Sequence, residues 1–206
     1  MTPARSREVF TAAAESFAEL VRLVPESSWQ DPGLGDWSVR DLVGRTSRSL
    51  ITVSTYLQTE ARREDVDGPA GYYVAIQEVT AGLGAAAIVE RGRRAGRELG
   101  ADPVGAVDAL VARALADLAA VDDPLIEVIG GLGMRLSNYL PTRTFELAVH
   151  GLDISRAIGI EHRPPAEVLA DAAALAARIG VALGSGPSVL LALTGRTGLP
   201  GGFSVV

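Results

Sequence analysis

Glu146, His150 and Asp153 stand at positions i, i+4 and i+7 of the segment Thr142-Arg-Thr-Phe-Glu-Leu-Ala-Val-His-Gly-Leu-Asp. On a helix, at about 100° per residue, the three side chains project within roughly 60° of one another. A carboxylate and an imidazole one turn apart can share a metal ion, as inward-facing side chains do in helical bundles. Asp153 is then placed to orient the imidazole from behind. The same spacing also describes an ordinary Glu–His helix pair with an acidic neighbour. Arg143, one turn before Glu146, offers that carboxylate an ion pair of its own.

A second group comes from Trp37-Ser-Val-Arg-Asp41-Leu-Val-Gly-Arg45-Thr46. Arg45 either pairs with Asp41 on its own helix or faces Glu146 from a neighbouring one. In the second case a fixed guanidinium fills the space of a cation and offers a carboxylate two parallel hydrogen bonds. Arg45, Arg143 and Asp153 are therefore the candidate substrate-binding residues, and Glu146 and His150 the candidate metal ligands. The other histidine, His162, falls in the polar turn Glu161-His162-Arg163-Pro164-Pro165 and reads as a solvated loop residue. Ser47, Ser49, Thr52, Ser54 and Thr55 read as back-bonded or solvent-facing hydroxyls without a matched base. Tyr72, Tyr73 and Trp29 read as packing or rim residues. Gly195-Arg-Thr-Gly-Leu-Pro-Gly-Gly matches no phosphate-binding fingerprint, and Arg196 reads as a surface residue.

The elements that must position these groups are helical. The chain is rich in Ala and Leu and only 5% aromatic, which favours an all-α fold. Apolar residues recur at helical spacing over 4–24, and Pro25 stops that helix. Ser38 with Asp41 resembles a capping box opening a helix over about 38–62, with Trp37 as a hydrophobic staple. Helical pattern returns over about 71–99, with a break at Gly82–Gly84. Gly100 and Pro103 separate it from a helix over about 103–121. Residues 125–136 read as a β-hairpin turning at Gly130-Gly131. Ser137 or Asn138 caps the next helix, with Pro141 in its first turn and Gly159 at its end. A further helix runs from Pro164-Pro165 to about 183, a short one follows over 185–193, and the tail is turn-rich. The organisation expected is a helical bundle over 1–160 and a C-terminal helical extension over 161–206.

Composition narrows the function. The 206 residues contain no cysteine, which excludes disulfides and Cys-ligated zinc, so any thiol chemistry needs a thiol from outside. All 19 basic residues are arginine, the net charge is −6 and no basic run is long enough to track a phosphate backbone, so nucleic acid is not an expected partner. The N-terminus lacks a signal-peptide pattern, and Gly, Pro, Asp and Arg interrupt every apolar stretch short of a membrane span. A cytoplasmic protein is expected, with a small molecule and a second copy of the chain, in a homodimer, as its partners.

Trp37-Ser-Val-Arg-Asp-Leu-Val-Gly, followed by Arg143-Thr-Phe-Glu146-Leu-Ala-Val-His150-Gly-Leu-Asp153-Ile and by the closing Leu-Thr-Gly-Arg-Thr-Gly-Leu-Pro-Gly-Gly-Phe, resembles the mycothiol-dependent maleylpyruvate isomerase family of actinobacteria. That family belongs to the DinB-like metalloenzymes. The resemblance implies a DinB-like four-helix bundle carrying a divalent metal, usually zinc, on two histidines and one glutamate. It implies a metal-activated low-molecular-weight thiol, mycothiol, that adds to an activated double bond, allows rotation and leaves. Glu146 and His150 match two of the ligands; the position of the remaining histidine carries Arg45. A guanidinium offers no lone pair and stays protonated, so it cannot ligate a metal. Three readings follow: an isomerase or thiol transferase with an impaired metal site, a metal-free relative in which Arg45 pairs with Glu146 and binds a carboxylate, or a dimerising helical protein without a ligand.

Overall fold

The computed structural model describes residues 1–80 and 84–206, and for residues 78, 80 and 85 it describes the backbone alone. The elements run α1 (Pro3–Arg22), α2 (Val39–Tyr56), α3 (Pro69–Thr80), α4 (Ala85–Glu98), α5 (Pro103–Ala119), β1 (Leu125–Val128), β2 (Leu132–Arg135), α6 (Leu136–Ala157), α7 (Ala166–Ala182) and α8 (Gly186–Leu193). The fold is all-α apart from the antiparallel β1–β2 hairpin. α1 packs on α5 and α6, and α2 packs on the same two helices, which closes a four-helix bundle. α4 lies on the outer side of α2, α3 sits against α6 and α7, and α8 rests on α7. Among the described residues, no helix is long and apolar enough to cross a membrane.

Local chemistry explains most of the boundaries. Thr2 accepts a hydrogen bond from the Arg5 amide, Pro3 opens α1, and Val9, Phe10, Ala13, Phe17, Leu20 and Val21 form its buried stripe. Ser38 and Asp41 form both halves of the expected capping box at the start of α2. Gly130 and Gly131 both take positive φ (78° and 75°) at the hairpin turn, a conformation glycine adopts without steric cost. The break expected at Gly82–Gly84 falls largely on residues 81–83, which lie outside the described residues; Gly84 is the N-cap of α4.

Several expectations are corrected. α2 ends at Tyr56 rather than near 62, because Thr59 is drawn onto β1: its hydroxyl donates to the Glu127 carbonyl and accepts from the Glu127 amide. Ser137 and Asn138 do not cap α6. The helix starts directly after β2, and the Asp123 carboxylate supplies the cap from a distance, accepting the Ser137 amide and hydroxyl at 2.7 and 2.8 Å. Pro141 therefore lies inside α6 rather than in its first turn. Residues 26–30 form one 3-10 turn after Pro25. Trp37 is no simple staple: its indole N–H donates to the Val89 carbonyl of α4. His162 is not a solvated residue either. Its Nε2 lies 3.0 Å from Ser16 Oγ, and its amide donates to Ser155 Oγ, which fastens the turn after α6 back onto α1.

The α2–α4 crossing rests on glycine. A Cβ on Gly44 would press into the backbone of Ala95 and Gly96, well inside van der Waals contact. Gly44→Ala is expected to force these helices apart and to lower stability by about 1–3 kcal/mol, as overpacking does. Chemical denaturation checks this; an unchanged midpoint would show that the helices are not in backbone contact there.

Candidate functional site

The site is a stripe along α6 that faces α2 and α3. Tyr139 donates its hydroxyl proton to Thr52 of α2 at 2.8 Å, and Thr52 is itself back-bonded to the Arg48 carbonyl. Seven residues along each helix from that bond, about two turns, stand Arg45 and Glu146. The two motifs that the sequence separates by a hundred residues therefore meet across one helix–helix contact.

Glu146 is mostly buried, with 16% of its side chain exposed. Its Oε1 accepts the Tyr73 hydroxyl at 3.0 Å, and its Oε2 lies 3.4 Å from His150 Nε2. His150 Nδ1 lies 3.2 Å from Asp153 Oδ2. The result is a chain from Tyr73 through Glu146 and His150 to Asp153, with the imidazole held between two carboxylates. Burial pushes the Glu146 carboxyl up, but the His150 contact and the charges of Arg143, His150 and Arg45 outweigh it and hold the pKa at about 2. Burial lowers the His150 pKa, yet the bonds to Asp153 and Glu146 outweigh burial and the nearby Arg45, so the net shift is upward.

Arg143 lies buried in an aromatic box. Its guanidinium carbon sits 4.9 Å from the Tyr139 ring centroid and 5.4 Å from that of Tyr72, and its Nε donates to Thr142 Oγ1. These are cation–π contacts. All four tyrosines of the chain gather here, since Tyr56 meets Tyr139 at 5.5 Å and Tyr72 meets Tyr73 at 5.6 Å. Burial and the Arg143 charge oppose each other at Tyr139 and Tyr72, and burial wins, so both phenols titrate above their ordinary range. Arg143 forms no direct ion pair with Glu146. It acts through space and as a wall of the site, and its guanidinium is enclosed rather than presented to a ligand.

Arg45 is half-buried. Burial lowers its pKa, Glu146 raises it, and the charges of Arg143, Arg48 and Arg91 lower it further. The direct Arg45–Glu146 pair expected from the sequence is not formed. Nor is the Arg45–Asp41 pair, because Asp41 is engaged in the capping box. Among the described residues, the Arg45 guanidinium has no hydrogen-bond or ion-pair partner.

Of the residues singled out from the sequence, Glu146, His150 and Asp153 are joined by direct contacts, and the Arg45 charge acts on Glu146 and His150. Sequence reasoning missed Tyr73 as a donor to Glu146 and the enclosure of Arg143 by Tyr72 and Tyr139. The one available signal was the scarcity of aromatics in a chain that keeps adjacent tyrosines at 72 and 73. Two of the hydroxyls read as back-bonded are found so: Ser47 and Thr52 donate to carbonyls one turn earlier.

The donor set bears directly on a metal. Glu146 Oε2 and His150 Nε2 converge as two ligands of one ion would. Among the described residues no group of three His, Cys, Asp or Glu side chains is arranged to hold a metal. A closed or catalytic zinc site draws on at least three protein ligands. These residues make half of such a site and do not fit the whole.

A four-helix bundle with an acid–imidazole pair between facing helices defines the class to which this protein is assigned: helical bundles with a buried polar centre. Within that class, the chain belongs to the family described as mycothiol maleylpyruvate isomerase N-terminal domain, whose model matches residues 10–155. The matched span runs from α1 into α6 and includes Arg45, Arg143, Glu146, His150 and Asp153. No curated protein and no solved structure matches the chain.

The two shifted groups set opposite edges on stability. Glu146 has a folded pKa of about 2 against an ordinary 4.5, so its contribution is present above 4.5 and is lost as pH falls toward 2. At ~1.4 kcal/mol per unit this amounts to about 3 kcal/mol at most. The raised pKa of His150 works the other way: its contribution is complete below 6.5 and is lost as pH rises through the raised value. Unfolding free energies measured from pH 3 to 9 are expected to fall at both ends, and Glu146→Gln to flatten both. An acid limb equally steep in the variant would contradict the assignment.

Proposed function

We propose that this family member binds a small organic carboxylate at Arg45 without requiring a metal. The observation that carries the reading is the half-buried Arg45 guanidinium, left without a partner beside Glu146 and His150. A partly desolvated cation gains most from a ligand that supplies a bidentate anion. Arg143 and Arg48 add positive potential, and Glu146, fixed by Tyr73 and His150, disfavours a second anionic group at its own position. His150, flanked by two carboxylates, is suited to hold a proton next to the ligand. Asp153 fixes the ring orientation.

Titration calorimetry against C2–C7 mono- and dicarboxylates, in buffer containing a chelator, tests this. Saturable binding is expected in the parent, with Arg45→Gln weakening it at least about tenfold, the scale of one charge-assisted contact. Equal affinity in Arg45→Gln, or loss of binding on adding the chelator to the parent, would overturn it. A second reading rests on the 3.4 Å approach of His150 Nε2 to Glu146 Oε2. In it, these two groups would be the protein ligands of a divalent ion, zinc by family resemblance, which would supply thiol activation for mycothiol-dependent isomerisation or thiol transfer. Zinc affinity of the parent weaker than about millimolar would end that reading, because such a site stays empty in a cell.

A further inference from the structure

Beyond the polar site, we infer that the groove between α6, α7, α8 and the C-terminal tail is a binding site for a neutral, hydrocarbon-rich small molecule. α7 turns a run of alanines, Ala173 and Ala176 among them, toward α6 and the tail, and these short side chains leave a trough of about 660 Å³. Ligand pockets span about 300–1,000 Å³, so the volume suits a small molecule. The trough has depth as well as breadth: Phe145, which lines its wall, is 4% exposed and belongs to the core.

The lining decides the chemistry of the occupant. None of the lining side chains is charged, and the one polar side chain, Ser204, is already bonded to the Val206 carbonyl. An anionic ligand would leave water and find no partner, a cost of several kcal/mol. An uncharged hydrocarbon skeleton loses nothing and gains burial. Phe145 also separates this groove from the polar site, with its outer face in the trough and its ring 5.5 Å from Tyr73. The two sites therefore take ligands of opposite character. The rim carries Leu193, 74% exposed, which a bound hydrocarbon would shield from water.

Titration of the intact chain with N-phenyl-1-naphthylamine, an uncharged fluorescent probe, tests the inference. The expected result is saturable binding of one probe per chain with a Kd on the order of 10 μM, displaced by 1-decanol more effectively than by decanoate. Ala173 is exposed at the groove, so Ala173→Trp blocks it without touching the core. That variant is expected to weaken the probe at least tenfold while keeping the parent's thermal midpoint; Ala177→Trp, on the same wall, serves if the first does not fold. Arg45→Gln is expected to leave probe binding unchanged, which separates this site from the carboxylate site. Non-saturable binding, parent-like affinity in a folded Trp variant, or preference for decanoate would overturn it. So would light scattering that shows a dimer excluding the probe, since the occupant would then be a second copy of the chain.

Discussion

Arg45→His is expected to convert the end of the bundle into a zinc site, with affinity at least ~100-fold above the parent. The parent offers Glu146 Oε2 and His150 Nε2 at 3.4 Å from each other, already oriented by Tyr73 and Asp153. Such outer contacts fix ligand geometry and raise ligand basicity. What the parent lacks is a third donor, and the Arg45 charge bears on both groups. The substitution changes both terms in the same direction: it removes a repulsive cation and adds an imidazole lone pair. The added histidine also makes binding proton-linked, so the gain should shrink at low pH. Zinc titration of apo-protein, parent and variant side by side, measures it. Equal affinities would mean that position 45 does not face the Glu146–His150 pair.

Arg143→Ala is expected to destabilise the protein by about 3–5 kcal/mol, the range for removing one member of a buried charge group. Three losses coincide at this residue. The side chain fills space between Tyr72 and Tyr139, so its removal leaves a cavity. Two cation–π contacts vanish. Glu146 stays buried but loses one of the charges that hold its pKa at about 2, so its carboxyl should titrate higher and acid unfolding should begin at higher pH. Urea denaturation at neutral pH and at pH 4 measures both effects. Arg143→Lys should recover part of the stability, since it keeps the charge but not the planar stacking. A loss below about 1 kcal/mol in Arg143→Ala would contradict the enclosed position of this side chain.

What could be read from the sequence was local. The Ser38–Asp41 box, Pro103 and Gly130-Gly131 act within a few residues of themselves, and the structure uses each where expected. The alignment of Glu146, His150 and Asp153 is likewise a property of one helix. The features that escaped are contacts between distant segments. Asp123 caps α6 across the hairpin, Thr59 ends α2 by bonding to β1, and His162 reaches α1 through Ser16. Tyr73 meets Glu146 only because α3 folds over α6. Arg45 is an instructive case. Its motif placed it opposite Glu146, but the direct ion pair read from charge alone is absent, and the free guanidinium that remains is the more informative feature for function.

The chain has two histidines, so the titration of His150 can be followed by NMR with His162 as an internal reference. Arg45 acts to lower the His150 pKa, against the upward pull of Asp153 and Glu146. Replacing Arg45 by Gln is therefore expected to move the His150 titration to still higher pH. A His150 titration curve that does not move in Arg45→Gln would contradict the placement of that guanidinium beside the Glu146–His150 pair.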